Sequence, residues 1–101
     1  MPKIIAQIDP DLCDLIPGFL AHKRSDAFAI LSGLESGRVD FEALRVIGHK
    51  LKGEGGSYGF DPITTYGEAI EEAARNRDAE SIRRYAGELA VYLDSVQIEY
   101  A

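Results

Sequence analysis

Four stretches of this chain repeat apolar residues at helical spacing, and only a few residues separate each from the next. From Pro17 to Leu34 the series is Leu20, Ala27, Ile30, Leu31 and Leu34, widened by Phe19 and Phe28. The second carries Leu44, Ile47 and Leu51, and the third Ile63, Tyr66, Gly67, Ile70, Ala73 and Ala74. The fourth carries Ile82, Tyr85, Ala86, Leu89, Leu93 and Val96. Spacings of three and four residues place such a series on one face of a helix. The residues between them are helix punctuation. Ser36-Gly37 ends the first helix, Asp40 caps the second and Gly59 stops it. Asp61-Pro62 starts the third, Asn76 closes it, and Asp78 caps the last. Asp9-Pro10 predicts a short helix over about 10–15, which Pro17 interrupts or re-nucleates. Residues 1–8 read as an extended lead-in whose isoleucines cover part of the bundle. Short connections make neighbouring helices antiparallel. No segment alternates with period two over a useful length. The expected fold is all-α, an antiparallel up-down four-helix bundle with a short additional N-terminal helix. Its 101 residues suit one domain spanning 1–101.

Charge narrows the function. A net charge of −6 argues against nucleic acid and against an anionic membrane surface. The chain has no long apolar run and no basic leader followed by an apolar core, so the expectation is a cytoplasmic protein. The lone Cys13 has no partner for an internal disulfide and reads as a small packing residue.

The second helix is chemically unusual. It runs Gly48-His49-Lys50-Leu51-Lys52-Gly53-Glu54-Gly55-Gly56-Ser57-Tyr58-Gly59. On a helical wheel Leu44, Ile47, Leu51, Gly55 and Tyr58 share a stripe, and His49 falls roughly 160° from Leu51. Beside His49 lie Arg45, Val46, Lys52, Gly53 and Gly56, at spacings of three, four and seven residues. The histidine is therefore expected on the outside, with a cation one turn away and a flat surface next to it. Lys50 points away from that face. Glycine inside a helix costs about 0.5–1 kcal/mol relative to alanine. Gly53 and Gly56 face away from the core, so packing does not call for them, whereas close approach by another molecule to His49 would.

Four uses of the histidine can be compared. A metal site needs several His, Cys, Asp or Glu ligands converging on one ion, and neither histidine has a second at i+3 or i+4. No metal is therefore expected. A nucleotide-binding glycine loop fails on order: the residues fit neither Gly-x-x-x-x-Gly-Lys-Ser/Thr nor Gly-x-Gly-x-x-Gly, where Tyr58 occupies the third glycine's place. General acid–base catalysis needs a pocket and further polar groups, and the outside of a slim bundle offers no obvious one. The fourth use is phosphoryl transfer to the histidine itself. Neutral imidazole is a nucleophile near pH 7, and a hydrogen bond at one ring nitrogen selects the other for attack. Glu71, on the flank of the third helix's stripe, is a candidate for that bond, with Glu68 one turn earlier. Lys52 would pair with phosphoryl oxygens, and Gly53 and Gly56 would admit a partner's loops. His22, beside Lys23 and Arg24, reads as solvated.

At these residues the sequence resembles the histidine-containing phosphotransfer (HPt) domains of two-component phosphorelays. The family pattern is His-x-Leu-Lys-Gly, then small residues, then a glycine ending the helix. Here it stands as His49-Lys50-Leu51-Lys52-Gly53, with Gly55, Gly56 and Gly59 after it. The resemblance implies that the whole chain is one HPt domain with His49 as phosphoacceptor through Nε2. It further implies that Lys52 stabilises the phosphoryl group and that Glu71 orients the imidazole. Arg45, Val46, Gly53 and Gly56 would dock the partner. Glutamate at the orienting position is similar to chemotaxis-type kinases, whereas glutamine is commoner in stand-alone relay proteins. The implied partners are response-regulator receiver domains and a sensor or hybrid histidine kinase. The chain would bind no cofactor, with Mg²⁺ on the receiver. It would be a carrier rather than an enzyme that turns over alone. The alternative is an interaction module that docks receivers without being phosphorylated.

Overall fold

The computed structural model describes residues 4–101. Four helices dominate it: α1 (Ile16–Glu35), α2 (Phe41–Gly55), α3 (Asp61–Arg75) and α4 (Ala79–Ser95). Single 3₁₀ turns lie at Pro10–Leu12 and Gly56–Tyr58. Two short strands, β1 (Ile5–Ile8) and β2 (Gln97–Tyr100), pair in parallel, with Ile5 opposite Gln97 and Ile8 opposite Tyr100. Helix α3 packs most extensively on α2, and α4 packs on α1 and α3.

The caps form where short polar side chains precede the helices. Asp40 accepts from the Ala43 amide, and Asp78 accepts from the Ser81 amide and hydroxyl. Pro17 sits in the first turn of α1, where a missing N–H is harmless. Gly59 ends the second helical segment at φ 90°, and the Phe60 amide reaches back to the Gly55 carbonyl. The third helix departs by one residue from the expected start. Phe60 takes the cap position, Asp61 and Pro62 lie inside the helix, and no side chain caps it.

Five expectations are corrected. The predicted N-terminal helix over about 10–15 is reduced to the 3₁₀ turn at Pro10–Leu12, capped by Asp9 accepting from the Asp11 amide. The all-helical reading omitted the sheet. Each strand spans four residues, and the pairing joins segments some ninety residues apart, so neither a long alternation nor a hairpin turn announces it. In β1 the alternation is present in miniature: Ala6 and Ile8 are buried, while Ile5 and Gln7 face out. Val96, predicted on the buried face of α4, instead ends that helix in an extended conformation. The fourth correction concerns α1. Phe28 is 72% exposed, because the buried series is Ile16, Leu20, Lys23, Ala27, Ile30 and Leu34, and Phe28 lies on the other side. Cys13 is likewise exposed rather than packed.

Lys23 holds a core position in that series. Its side chain is fully buried and its ammonium meets Glu54 at 2.7 Å and Asp26 at 3.1 Å. Its stem lies among the apolar residues. The pair to Glu54 ties α1 to the end of α2 next to Gly53. Phe19 stacks on Tyr58 at 4.2 Å between centroids, fixing the same end.

Helices α2 and α3 approach each other closely at their glycines. Gly48 is buried, and a Cβ there would stand 2.8 Å from the Glu71 amide nitrogen and 3.0 Å from the Gly67 carbonyl oxygen. A Cβ on Gly67 would run into the backbone of Gly48, Leu51 and Lys52. Gly55 is packed equally closely against Thr64. By contrast, Gly53 is exposed with open space where a Cβ would go. Overpacking costs about 1–3 kcal/mol, and backbone yields less readily than side chains. Gly67→Ala should therefore lower unfolding stability by an amount near the upper end of that range. Gly53→Ala should raise it by about 0.5–1 kcal/mol, the ordinary helix-propensity gain. Urea unfolding of the two variants checks both signs.

Candidate functional site

His49 and Glu71 face each other across the glycine crossing. His49 follows Gly48 on α2, and Glu71 lies one turn after Gly67 on α3, so the close helix approach sets the distance between the two side chains. The imidazole Nδ1 stands 2.8 Å from Glu71 Oε2. The histidine side chain is 67% exposed, whereas the glutamate is 3% exposed. The ring therefore rests on a buried carboxylate while its other edge is open to solvent.

Glu71 is surrounded by cations. Lys52 Nζ is 3.8 Å from Oε1. On Oε2, Arg75 Nη2 stands at 3.5 Å and Arg45 Nη1 at 3.8 Å. Burial pushes the Glu71 carboxyl up. The hydrogen bond from His49 and the charges of Arg75, His49 and Lys52 outweigh it and hold the group below its ordinary value of 4.5. Glu71 is thus an anion at neutral pH and can only accept. In the neutral imidazole the proton then lies on Nδ1, donated to Oε2, and Nε2 carries the free lone pair on the exposed side.

Most of the predicted site residues converge here. His49, Lys52, Glu71 and Arg45 form one connected group. Arg45 is divided: it binds Glu42 through Nε at 2.9 Å and Nη2 at 2.6 Å, with Glu71 the longer contact. That bond to Glu42 pushes the guanidinium further up, so it remains a cation. Val46 is 38% exposed and Gly53 is exposed on the same helix, as their phase relative to His49 requires, while Gly56 is exposed in the 3₁₀ turn that follows α2. Gly56 also has a structural partner, because its amide donates to Thr64 Oγ1 at 2.7 Å. Glu68 is exposed and has no place among the contacts of His49. His22 is solvent-facing, 3.7 Å from Asp26.

Sequence reasoning missed Arg75, Gly48 and Gly67 as contributors. Arg75 was findable, since it stands four residues after Glu71, where an opposite charge pairs along a helix. The role of Gly48 and Gly67 depends on two helices meeting, which one helical wheel does not display.

Among the described residues, no three His, Cys, Asp or Glu side chains gather as a metal site requires. Nor is any helix there long and apolar enough to cross a membrane. A concavity of about 620 Å³ lies between α3 and α4, lined by Tyr66, Arg83, Gly87, Val91 and Tyr92 among others, and contains none of the residues around His49. Burial raises the Tyr92 hydroxyl there to about 12, so it stays protonated at physiological pH.

No family model, no curated protein and no solved structure matches the chain.

The lowered Glu71 value has a pH consequence with a definite sign. A carboxyl whose folded-state value lies below its unfolded one adds stability that is complete above the unfolded value, here the ordinary 4.5, and is lost as pH falls through the folded one. Glu71→Gln removes that contribution. Urea unfolding across the acid range should show the wild type more stable than the variant at pH 7, with the difference shrinking below pH 4.5.

Proposed function

We propose that this chain is a histidine phosphotransfer protein, which accepts a phosphoryl group on His49 Nε2 from a receiver-domain aspartyl phosphate and returns it to another. The observation that carries this reading is the exposed imidazole bonded through Nδ1 to a buried, ionised Glu71. That arrangement leaves one nucleophilic nitrogen, and it faces outward.

The chemistry follows from the proton's position. The Nε2 lone pair attacks phosphorus, the N–P bond forms, and the bond from phosphorus to the aspartyl oxygen breaks. The departing aspartate keeps that electron pair and leaves as a carboxylate. No proton has to move, because Nε2 carries none. The ring becomes a phosphorylated imidazolium that retains its Nδ1–H, and Glu71 faces the new positive charge. This is electrostatic support of a charge that develops during reaction, supplied by a group already in place. Lys52 pairs with Glu71 in the free protein, and its 43% exposed side chain can turn to phosphoryl oxygens once they arrive. The reverse step uses the same groups, so the chain acts as a carrier and not as an enzyme that turns over alone.

The surroundings support a protein partner rather than a small substrate. His49 projects from an exposed helix face, and the concavity between α3 and α4 does not include it. Gly53 leaves open space one turn beyond His49, with Val46 one turn before it and Gly56 further along. On this reading the four helices form the antiparallel bundle of an HPt domain, and the receiver supplies Mg²⁺ and most of the catalytic groups. A sensor or hybrid histidine kinase feeds the relay, and the exchange takes place in the cytoplasm.

Labelled phosphoryl transfer from a phosphorylated receiver, with Mg²⁺, tests the proposal. The wild type should acquire acid-labile, base-stable label, and His49→Gln should acquire none. Gly53→Leu should slow transfer by weakening binding while leaving His49 chemically competent. Binding of several receivers without any label would favour the docking module instead.

A further inference from the structure

Two cations beside Glu71, Arg45 and Arg75, have no part in the steps above. Arg75 follows Glu71 by one turn of α3, and its Nη2 lies 3.5 Å from Oε2, the oxygen that accepts from His49. Three other groups face this carboxylate, all from α2. His49 and Arg45 approach Oε2, and Lys52 approaches Oε1. Their commitments differ. Arg45 is engaged primarily by Glu42, at 2.6 Å. Lys52, on the phosphotransfer reading, is drawn toward the phosphoryl group. The competing acid for Arg75 is Glu72 at 3.7 Å, on the same helix and 65% exposed, whereas Glu71 is buried. Arg75 is therefore the cation left to Glu71 when the others are occupied.

The state of Glu71 decides which imidazole nitrogen is reactive. As an anion it only accepts, so the ring must donate from Nδ1. As a neutral acid it could donate to Nδ1, and the ring proton would then lie on Nε2, removing the lone pair that attacks. Burial favours the neutral acid, and an adjacent cation opposes it. An arginine suits the task because its charge persists at all relevant pH values and its planar donors fix the carboxylate's orientation.

We propose that Arg75 is a positioning residue for phosphoryl transfer, holding Glu71 as an oriented carboxylate so that His49 keeps its proton on Nδ1 and its lone pair on Nε2. This rests on the phosphotransfer reading for its functional consequence, but the clamp itself is measurable without any partner.

The test uses Arg75→Gln and Arg75→Lys, each made in the wild type and in Glu71→Gln. Two readouts need only the free protein: the ¹³C titration of the Glu71 carboxyl and the ¹⁵N shifts of the His49 ring, which report the tautomer. A third is transfer from a phosphorylated receiver, separated into the saturating rate and the half-saturating concentration. In Arg75→Gln the Glu71 titration should move to higher pH and the Nε2–H tautomer should grow. The saturating rate should fall roughly two- to five-fold, the range of a partly exposed ion pair, at unchanged half-saturation. Arg75→Lys should recover most of each effect. In the Glu71→Gln background, Arg75→Gln should change nothing further. Unchanged titration and tautomer in Arg75→Gln would overturn the proposal. So would an equal rate loss in the Glu71→Gln background, since Arg75 would then be acting on the partner rather than through Glu71. The NMR changes without phosphorylation of the wild type would uphold the clamp and refute the phosphotransfer reading instead.

Discussion

Two glycines determine how closely α2 and α3 meet, and the geometry around His49 depends on that approach. Gly48 and Gly67 face each other with no room for a methyl group on either. Each residue next in line on its helix inherits the short distance. His49 follows Gly48, Glu71 stands one turn past Gly67, and the two side chains meet at 2.8 Å. A wider crossing would leave the carboxylate buried without its acceptor role and the imidazole free to rotate. The glycines that do not serve this crossing behave differently. Gly53 has open space where a side chain would be, so packing does not call for a glycine there.

The second constraint is electrostatic. A carboxylate at 3% exposure is stable as an anion only with donors and cations around it. Glu71 has His49, Lys52, Arg75 and Arg45, and its value falls despite burial. The same molecule contains a mirror case in Lys23, a fully buried ammonium satisfied by Glu54 and Asp26. The two differ in which charge is buried. In the Lys23 cluster the buried group is the cation, its acidic partners reach solvent and the pair joins α1 to α2, while in the Glu71 cluster the buried group is the anion and the exposed one is an imidazole.

Local chemistry made much of this legible. Asp40 and Asp78 cap helices, Gly59 turns the chain at positive φ, and the wheel phase of His49 predicts its exposure. Glu71 could be chosen over Glu68 from its place beside the buried stripe. What escaped depends on contacts between distant segments. The β1–β2 pairing joins residues near 5 and 97 through four-residue strands too short to show a period. Lys23 occupies a core position that an apolar-only pattern leaves blank. Phe28 shows the converse, since an aromatic residue near a stripe is not thereby on it. The role of Gly48 emerges only when α3 is laid against α2.

The central claim is that Glu71 holds Nδ1 and leaves Nε2 as the reactive atom. Phosphorylating ¹⁵N-histidine-labelled protein from a phosphorylated receiver and locating phosphorus by ³¹P–¹⁵N coupling tests it most directly. The account predicts a single N–P bond at His49 Nε2, with Nδ1 still protonated and facing Glu71. Phosphorus on Nδ1, or on His22 or a carboxylate, would contradict it.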